Sequence, residues 1–169
     1  HKGLLPTGLG DILPPEAEFE AQITEVLMAS FGRYGYERVK PPLIEFEDVL
    51  LSGSGKKMAK QTFRIMDPIS QRMLGVRADM TLQIARIAST RLADIPRPIR
   101  LSYAGQVLRV KGSVLRPKRQ FGQIGVEVIG AISPQADAEI ILMSAEALTN
   151  LGVPNLSIDS RLPTLVPAL

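Results

Sequence analysis

The chain has no cysteine and no tryptophan, and its one histidine is the first residue. Without cysteine there is no disulfide framework, no thiolate metal site and no thiol nucleophile, a usage that fits a reducing compartment and makes the cytoplasm the expected location. With the sole histidine at a terminus, neither a Ser-His-Asp triad nor a histidine-ligated metal centre can be assembled, so no metal and no cofactor are expected. Any chemistry falls to carboxylates, Arg and Lys. No apolar run approaches the roughly 20 residues that a membrane span requires, and no signal-peptide pattern opens the chain, so no membrane partner is expected. Aromatic residues make up 5% of the chain, too few to suggest a stacking platform for bases, and nucleic-acid binding is not the leading reading.

What is present suits one ordinary domain. The 169 residues suffice to bury roughly 70% of the unfolded surface. The start without Met and the apolar close, TLVPAL, lead us to expect the N-terminal part of a larger domain whose remainder is absent. The formal charge of +3 gathers around one segment, where Arg109, Lys111, Arg116, Lys118 and Arg119 crowd together. Such a cluster suits phosphate, nucleic acid or an acidic partner, and equally a solvated loop.

Helix and strand signals alternate along the chain. Pro14 and Pro15, then Glu16, Glu18 and Glu20, open a helix whose Phe19, Ile23, Val26, Leu27 and Phe31 recur at helical spacing up to about Arg33. Gly35 ends it, the residues from Tyr36 to Lys40 read as a strand, and Pro41-Pro42 places that strand at an edge or an interface. Thr62 to Met66 and Arg72 to Val76 form an expected hairpin around Asp67-Pro68. Asp79 or Thr81 caps a helix through Ile84, Ile87 and Ala88. Arg100 to Arg109 is a long strand joined by a basic loop to the next one, and Ser133-Pro134 starts a helix with Ala136, Ile140, Ala147, Leu148 and Leu151 turned inward, stopped by Gly152. Leu156 to Asp159 reads as a last strand.

The densest information lies in RQFGQIGVEVIG, residues 119–130. At period two, Ile124, Val126 and Val128 make an apolar face, while Arg119, Gln123, Gly125 and Glu127 line the other. A glycine inside a strand is costly unless something occupies the space of its missing side chain, and a bound ligand is one such occupant. The plainer reading is a half-buried strand with a solvated polar face. By contrast, SGSGKK at residues 52–57 is only superficially a phosphate-binding loop: Leu50 stands where the pattern needs Gly, and Lys57 where it needs Ser or Thr.

Taken in order, the first helix, GYERVKPP, RADMT, the strand ending YAGQVLRV, the basic loop and RQFGQIGVEVIG resemble the histidyl-tRNA synthetase catalytic domain of the class II synthetase family over nearly the whole chain. LLPTGLGDILPPEA and GVRADMTLQIARIA are most similar to a branch of that family, the synthetase-like regulatory subunits of ATP phosphoribosyltransferase. The resemblance implies an α+β fold with a mostly antiparallel sheet flanked by helices, truncated here, and self-association through the first helix and the Tyr36 to Pro42 strand. Two departures from the synthetase pattern point toward the regulatory branch. Arg109 is followed two residues later by Lys111 where the synthetases have Glu, and the RPEGT-like segment reads Arg77-Ala78-Asp79-Met80-Thr81.

A free amino acid is a zwitterion, so its site needs an anion for the ammonium and a cation or N–H donors for the carboxylate. By analogy with the synthetases, Glu127, Gln123 and Asp79 hold the ammonium, Thr81 helps to position it, and Arg109 faces the carboxylate or a phosphate. Each has a structural alternative: Asp79 and Thr81 as helix caps, Glu127 and Arg109 as a cross-strand ion pair, Gln123 as a solvated strand residue. The function that the resemblance implies is a subunit without catalysis of its own, activating the short-form catalytic subunit of ATP phosphoribosyltransferase in the first step of histidine synthesis, with histidine as effector. The alternatives are a histidine-tRNA ligase fragment and a synthetase-like module that binds tRNA or another protein.

Overall fold

The computed structural model describes residues 3–159; His1 and the apolar TLVPAL tail lie outside them. In chain order the elements are α1 (Glu16–Arg33), β1 (Glu37–Arg38), β2 (Ile44–Phe46), α2 (Glu47–Leu50), a 3-10 run (Gly53–Gln61), β3 (Arg64–Met66), β4 (Met73–Val76), α3 (Thr81–Thr90), β5 (Ile99–Leu108), β6 (Gln120–Ile129) and α4 (Pro134–Asn150).

Local chemistry explains the helix ends. Glu16 and Glu18 sit in the first turn of α1, where the unpaired N–H groups favour negative charge. At its other end Gly35 takes a left-handed φ of 80°; its N–H bonds Gly32 O at 3.0 Å while that of Tyr36 returns to Phe31 O at 3.2 Å, the double closure of a Schellman turn. Ser133 caps α4 by accepting from the Ala136 N–H at 3.2 Å, with Pro134 in the first turn.

The strands make two three-stranded sheets. In the first, β5 is central: β1 pairs with it in parallel, and β6 runs antiparallel to it through ten pairs, from Ile99 opposite Ile129 to Leu108 opposite Gln120. The second has the order β2-β4-β3 and is antiparallel throughout, its β3–β4 hairpin turning at Asp67 and Pro68 as the sequence indicates.

The pleat of the β5–β6 ribbon separates two cores. Ala104, Ile124, Val126 and Val128 pack on one face against Met28, Phe31, Tyr36, Met143 and Ala147 from the α1–α4 layer. The opposite face carries Leu101, Tyr103 and Val107 of β5 with Phe121 and Ile129 of β6, under Met80, Ile84 and Ala88 of the α3 region. The even-numbered apolar face of β6 read from sequence is therefore buried as expected.

Several expectations change. The strand foreseen from Tyr36 to Lys40 shortens to two residues, because its pairing with β5 covers only Glu37 and Arg38. Residues 156–159 form no strand, since no ladder reaches them among the described residues. On α1 the buried stripe is Met28 and Phe31, leaving Phe19 63% and Val26 46% exposed, and on α4 it is Met143 and Ala147 at i, i+4, leaving Leu148 exposed. Helical period gives the angle between apolar residues but not which angle faces the neighbour.

Arg77 joins the two sheets from inside. It is 7% exposed, its Nε donates to Gln106 O of β5 at 2.8 Å, and its Nη1 donates to Pro41 O at 2.9 Å. The guanidinium crosses β5 at Gly105, where a Cβ would overlap its Nη2 and come within 3.3 Å of its Cζ. Charged hydrogen bonds of this kind contribute about 1.5–3 kcal/mol each. Arg77→Met is expected to lower unfolding stability by about 3–5 kcal/mol in urea titrations, and Arg77→Lys to recover only part of it, because one ammonium cannot span both carbonyls.

Candidate functional site

The polar face of β6 meets the N-terminus of α3 through a chain of hydrogen bonds. Glu127 stands opposite Leu101, Gly125 opposite Tyr103 and Gln123 opposite Gly105. At Gly125 the missing side chain lets the Tyr103 ring lie across β6, since a Cβ there would sit 2.6 Å from Tyr103 Cζ. The space expected for a ligand above Gly125 is thus filled by Tyr103. The consequence is chemical as well as steric, because the ring carries its hydroxyl between two elements.

That hydroxyl donates to Glu127 Oε1 at 3.2 Å and lies 3.3 Å from Thr81 Oγ1, so with Glu127 ionised the order is Thr81 to Tyr103 to Glu127. Asp79 accepts the Thr81 N–H at 2.8 Å through Oδ1 and the Gln123 Nε2 at 2.9 Å through Oδ2. Gln123 in turn accepts the Met80 N–H at 2.9 Å, which fixes its amide with the carbonyl toward α3 and the NH2 toward Asp79. Asp79 therefore does help to tie down the helix start, while its carboxylate also faces the site.

Four of the five residues singled out from sequence, Asp79, Thr81, Gln123 and Glu127, are brought together, and Tyr103 links two of them. Arg109 stands at the edge of this group and outside its hydrogen bonds: it follows β5 on the same face, eight residues beyond the partner of Glu127 but beside the main chain that leads into Asp79. There its Nε donates to Ala78 O at 3.2 Å and its guanidinium lies 5.0 Å from the centre of the Phe121 ring. The considered Glu127–Arg109 ion pair does not form. Sequence reading missed Tyr103, for which the signal was a large aromatic placed by register opposite a strand glycine.

Electrostatics marks the cluster as unfinished. Burial pushes the Glu127 carboxyl above its usual range and the negative charge of Asp79 adds to that, against the opposing hydrogen bond from Tyr103. Burial pushes the Tyr103 phenol up to about 12, so it stays a donor. Among the described residues neither Asp79 nor Glu127 enters an ion pair. Two carboxylates, a phenol, a hydroxyl and an amide form an acceptor-rich cage that suits a ligand with several N–H donors and a positive charge. No group of three His, Cys, Asp or Glu fit to hold a metal occurs among the described residues.

Comparisons with known proteins converge. The family model described as histidyl-tRNA synthetase matches residues 8–169. A curated relative from Paramagnetospirillum magneticum, named ATP phosphoribosyltransferase regulatory subunit, is 64% identical over 100% of this chain and 45% of its own length. One of the same name from Rhodospirillum rubrum is 57% identical over 99% and 44%. The chain spans less than half the length of these relatives. Among solved structures, one titled ATP phosphoribosyltransferase regulatory subunit/histidyl-tRNA synthetase from Bacillus halodurans superposes with a TM-score of 0.78 at 27% identity, covering 91% of this chain and 39% of that one. The apo histidyl-tRNA synthetase of S. aureus gives 0.73 at 27% identity, over 89% and 35%.

The raised carboxyl of Glu127 has a measurable sign. The folded state holds that proton more tightly than the unfolded chain, so the stability it contributes is complete below the ordinary Glu range and is lost as pH rises through the higher folded value. Thermal melts of Glu127→Gln are expected to show a higher midpoint than the parent at pH 7.5, with the gap closing toward pH 4; a gap independent of pH refutes the assignment.

Proposed function

Because the chain belongs to the histidyl-tRNA synthetase family, by its match over residues 8–169, we propose that it serves that family's regulatory branch: a subunit without its own catalysis that activates the short-form catalytic subunit of ATP phosphoribosyltransferase, in the cytoplasm, and transmits inhibition by histidine. The names of relatives 64% and 57% identical to it support this reading. The structural observation that carries it is the pair Asp79 and Glu127, held by Gln123, Thr81 and Tyr103 on one face of the β5–β6 ribbon without a cation of their own.

In this reading the α-ammonium of histidine completes the cage. Its three N–H donors meet Glu127, Asp79 and the Thr81–Tyr103 pair, and its charge offsets the burial, with the smaller contribution of Asp79, that raises the Glu127 carboxyl. Arg109, whose guanidinium bonds the carbonyl beside Asp79, faces the carboxylate or a phosphate. Histidine then acts by binding one state of the assembly more tightly than another, a coupling that is reciprocal with catalytic-subunit binding. Self-association through α1 and the strand from Tyr36 to Pro42 belongs to the same proposal.

A ligase reading has one specific support, the family model's own description, and one feature against it, Lys111 in place of an acid two residues after Arg109.

The deciding experiment mixes the intact protein with the short catalytic subunit and follows the joining of ATP and phosphoribosyl pyrophosphate with and without histidine. Activation that histidine suppresses is expected; absence of activation, or robust histidine-dependent ATP-pyrophosphate exchange by the protein alone, overturns the proposal. Glu127→Gln is expected to weaken histidine binding roughly ten- to a hundredfold by calorimetry. Parent affinity should fall as pH drops through the raised Glu127 value, and the variant's should not.

A further inference from the structure

The apex of the β5–β6 ribbon carries an unusual pairing of properties. Val114 is 100% and Leu115 93% exposed, side by side. Around them stand Lys111, Arg116 and Lys118, all exposed and none in an ion pair among the described residues. Residues 95–126 contain seven cations, Arg97, Arg100, Arg109, Lys111, Arg116, Lys118 and Arg119, and no Asp or Glu.

The apex is held in shape. Ser113 and Arg116 bond each other's main chain in both directions, at 2.9 and 3.2 Å, and Ser113 Oγ accepts the Arg116 N–H at 3.0 Å, so Val114 and Leu115 sit at the crest of a closed turn. Its base is pinned from three sides. Arg109 N–H bonds Arg119 O at 2.8 Å, Val110 N–H bonds Gln61 O at 3.0 Å, and Arg119 donates from its main chain to Gly8 O at 2.7 Å and from Nη1 to Thr7 O at 3.1 Å. Two of the loop's five cations are used at this base, Arg109 over Phe121 and Arg119 over Phe63. The other three are left for the apex.

From this arrangement we infer that the turn 113–116 is a docking knob for a protein partner, whose surface offers an apolar pocket for Val114 and Leu115 rimmed by Asp and Glu. The inference rests on the reading above that the protein works with a catalytic subunit, and it assigns that subunit as the occupant. Charge decides the rim, because a collar of three free cations selects an acidic surface and steers the encounter. The crest decides the class of partner. Two aliphatic side chains offer bases neither hydrogen bonds nor a stacking face, and the loop holds no aromatic residue, whereas a protein pocket gains from covering them. A preformed turn also loses little freedom on docking.

The test uses the intact protein, the short catalytic subunit and two variants, Val114→Ser with Leu115→Ser, and Lys111→Glu with Arg116→Glu and Lys118→Glu. The serine variant is expected to raise the dissociation constant for the catalytic subunit at least about tenfold and to reduce activation at limiting concentration, with melting midpoint and histidine affinity unchanged. The glutamate variant should associate more slowly and lose the parent's dependence of on-rate on salt. The amides of Val114 and Leu115, which make no hydrogen bond within the turn, should exchange rapidly in the intact protein and become protected when the catalytic subunit is added. The knob is overturned if the serine variant binds within twofold of the parent, if those amides are already protected without the partner, or if tRNA rather than the subunit protects them. Should the parent itself neither bind nor activate the subunit, the regulatory reading falls with it; a parent that does both while the serine variant does so equally overturns the knob alone.

Discussion

The register between β5 and β6 is the constraint from which the other features follow. Once Tyr103 stands opposite Gly125, the two-residue period of the pleat sends Ile124, Val126 and Val128 to the α1–α4 side and Gln123 and Glu127 to the α3 side. A slip of one residue exchanges the faces, turning a carboxylate toward Met28, Phe31 and Met143 and moving the three aliphatics to the α3 side. The same register sets Gly105 under the Arg77 guanidinium. Gly105 and Gly125 are thus places where a bulky side chain crosses the ribbon, and neither is a vacant hollow. The Tyr103 crossing delivers its hydroxyl to Glu127, so a packing requirement and a recognition geometry are met by one residue.

Gln123, Thr81 and Tyr103 orient the two acids without neutralising them, and burial holds the Glu127 carboxyl above its ordinary range. A fold selected for stability alone gains more by placing a cation beside Glu127 or by exchanging it for an apolar residue. Contrast the Arg100–Glu139 pair at 3.0 Å, joined by Tyr36, where the acid has its cation and its carboxyl is held low. Glu139 has its guanidinium partner, whereas Glu127 is more deeply buried and has no cation beside it. That difference is what the proposed reading draws on in assigning the β6 acid to an incoming positive charge.

How much of this could be read beforehand follows from the range of the information. Helix boundaries were legible because Gly35, Ser133 and Pro134 act on their immediate neighbours, and the two-faced character of β6 was legible because alternation is local. The grouping of Asp79 and Thr81 with Gln123 and Glu127, across more than 40 positions of sequence, came from resemblance and not from pattern. What failed was contact information. The helical period could not say that α1 presents Met28 instead of Phe19, nor that α4 presents Met143 instead of Leu148. The alternative of a Glu127–Arg109 ion pair was open to opposite charge alone, but distance along a strand accumulates at about 3.3 Å per residue, and eight residues separate Arg109 from the partner of Glu127. Tyr103 was missed because its role exists only through a cross-strand neighbour.

In the proposed reading the ribbon carries the amino-acid site and the exposed apex on one continuous element, and this bears on how a small ligand would affect a macromolecular partner. An occupant of the cage touches β6 through Glu127 and Gln123 and the start of α3 through Asp79 and Thr81. It therefore ties α3 to the ribbon at a point where hydrogen bonds already run but negative charge is unbalanced. At the other end of the same strands the loop base is tied to residues 7–8 and to Gln61, so the ribbon cannot tilt relative to α3 without disturbing the contacts that aim the apex. Coupling in such a design needs no chain of altered rotamers between the sites. It needs two angles of ribbon against α3, one of which the ligand favours, because a ligand shifts an equilibrium only by its differential affinity for the two states. In that reading the unpaired carboxylates supply the differential, because a cation closed between them offsets the burial that raises the Glu127 carboxyl.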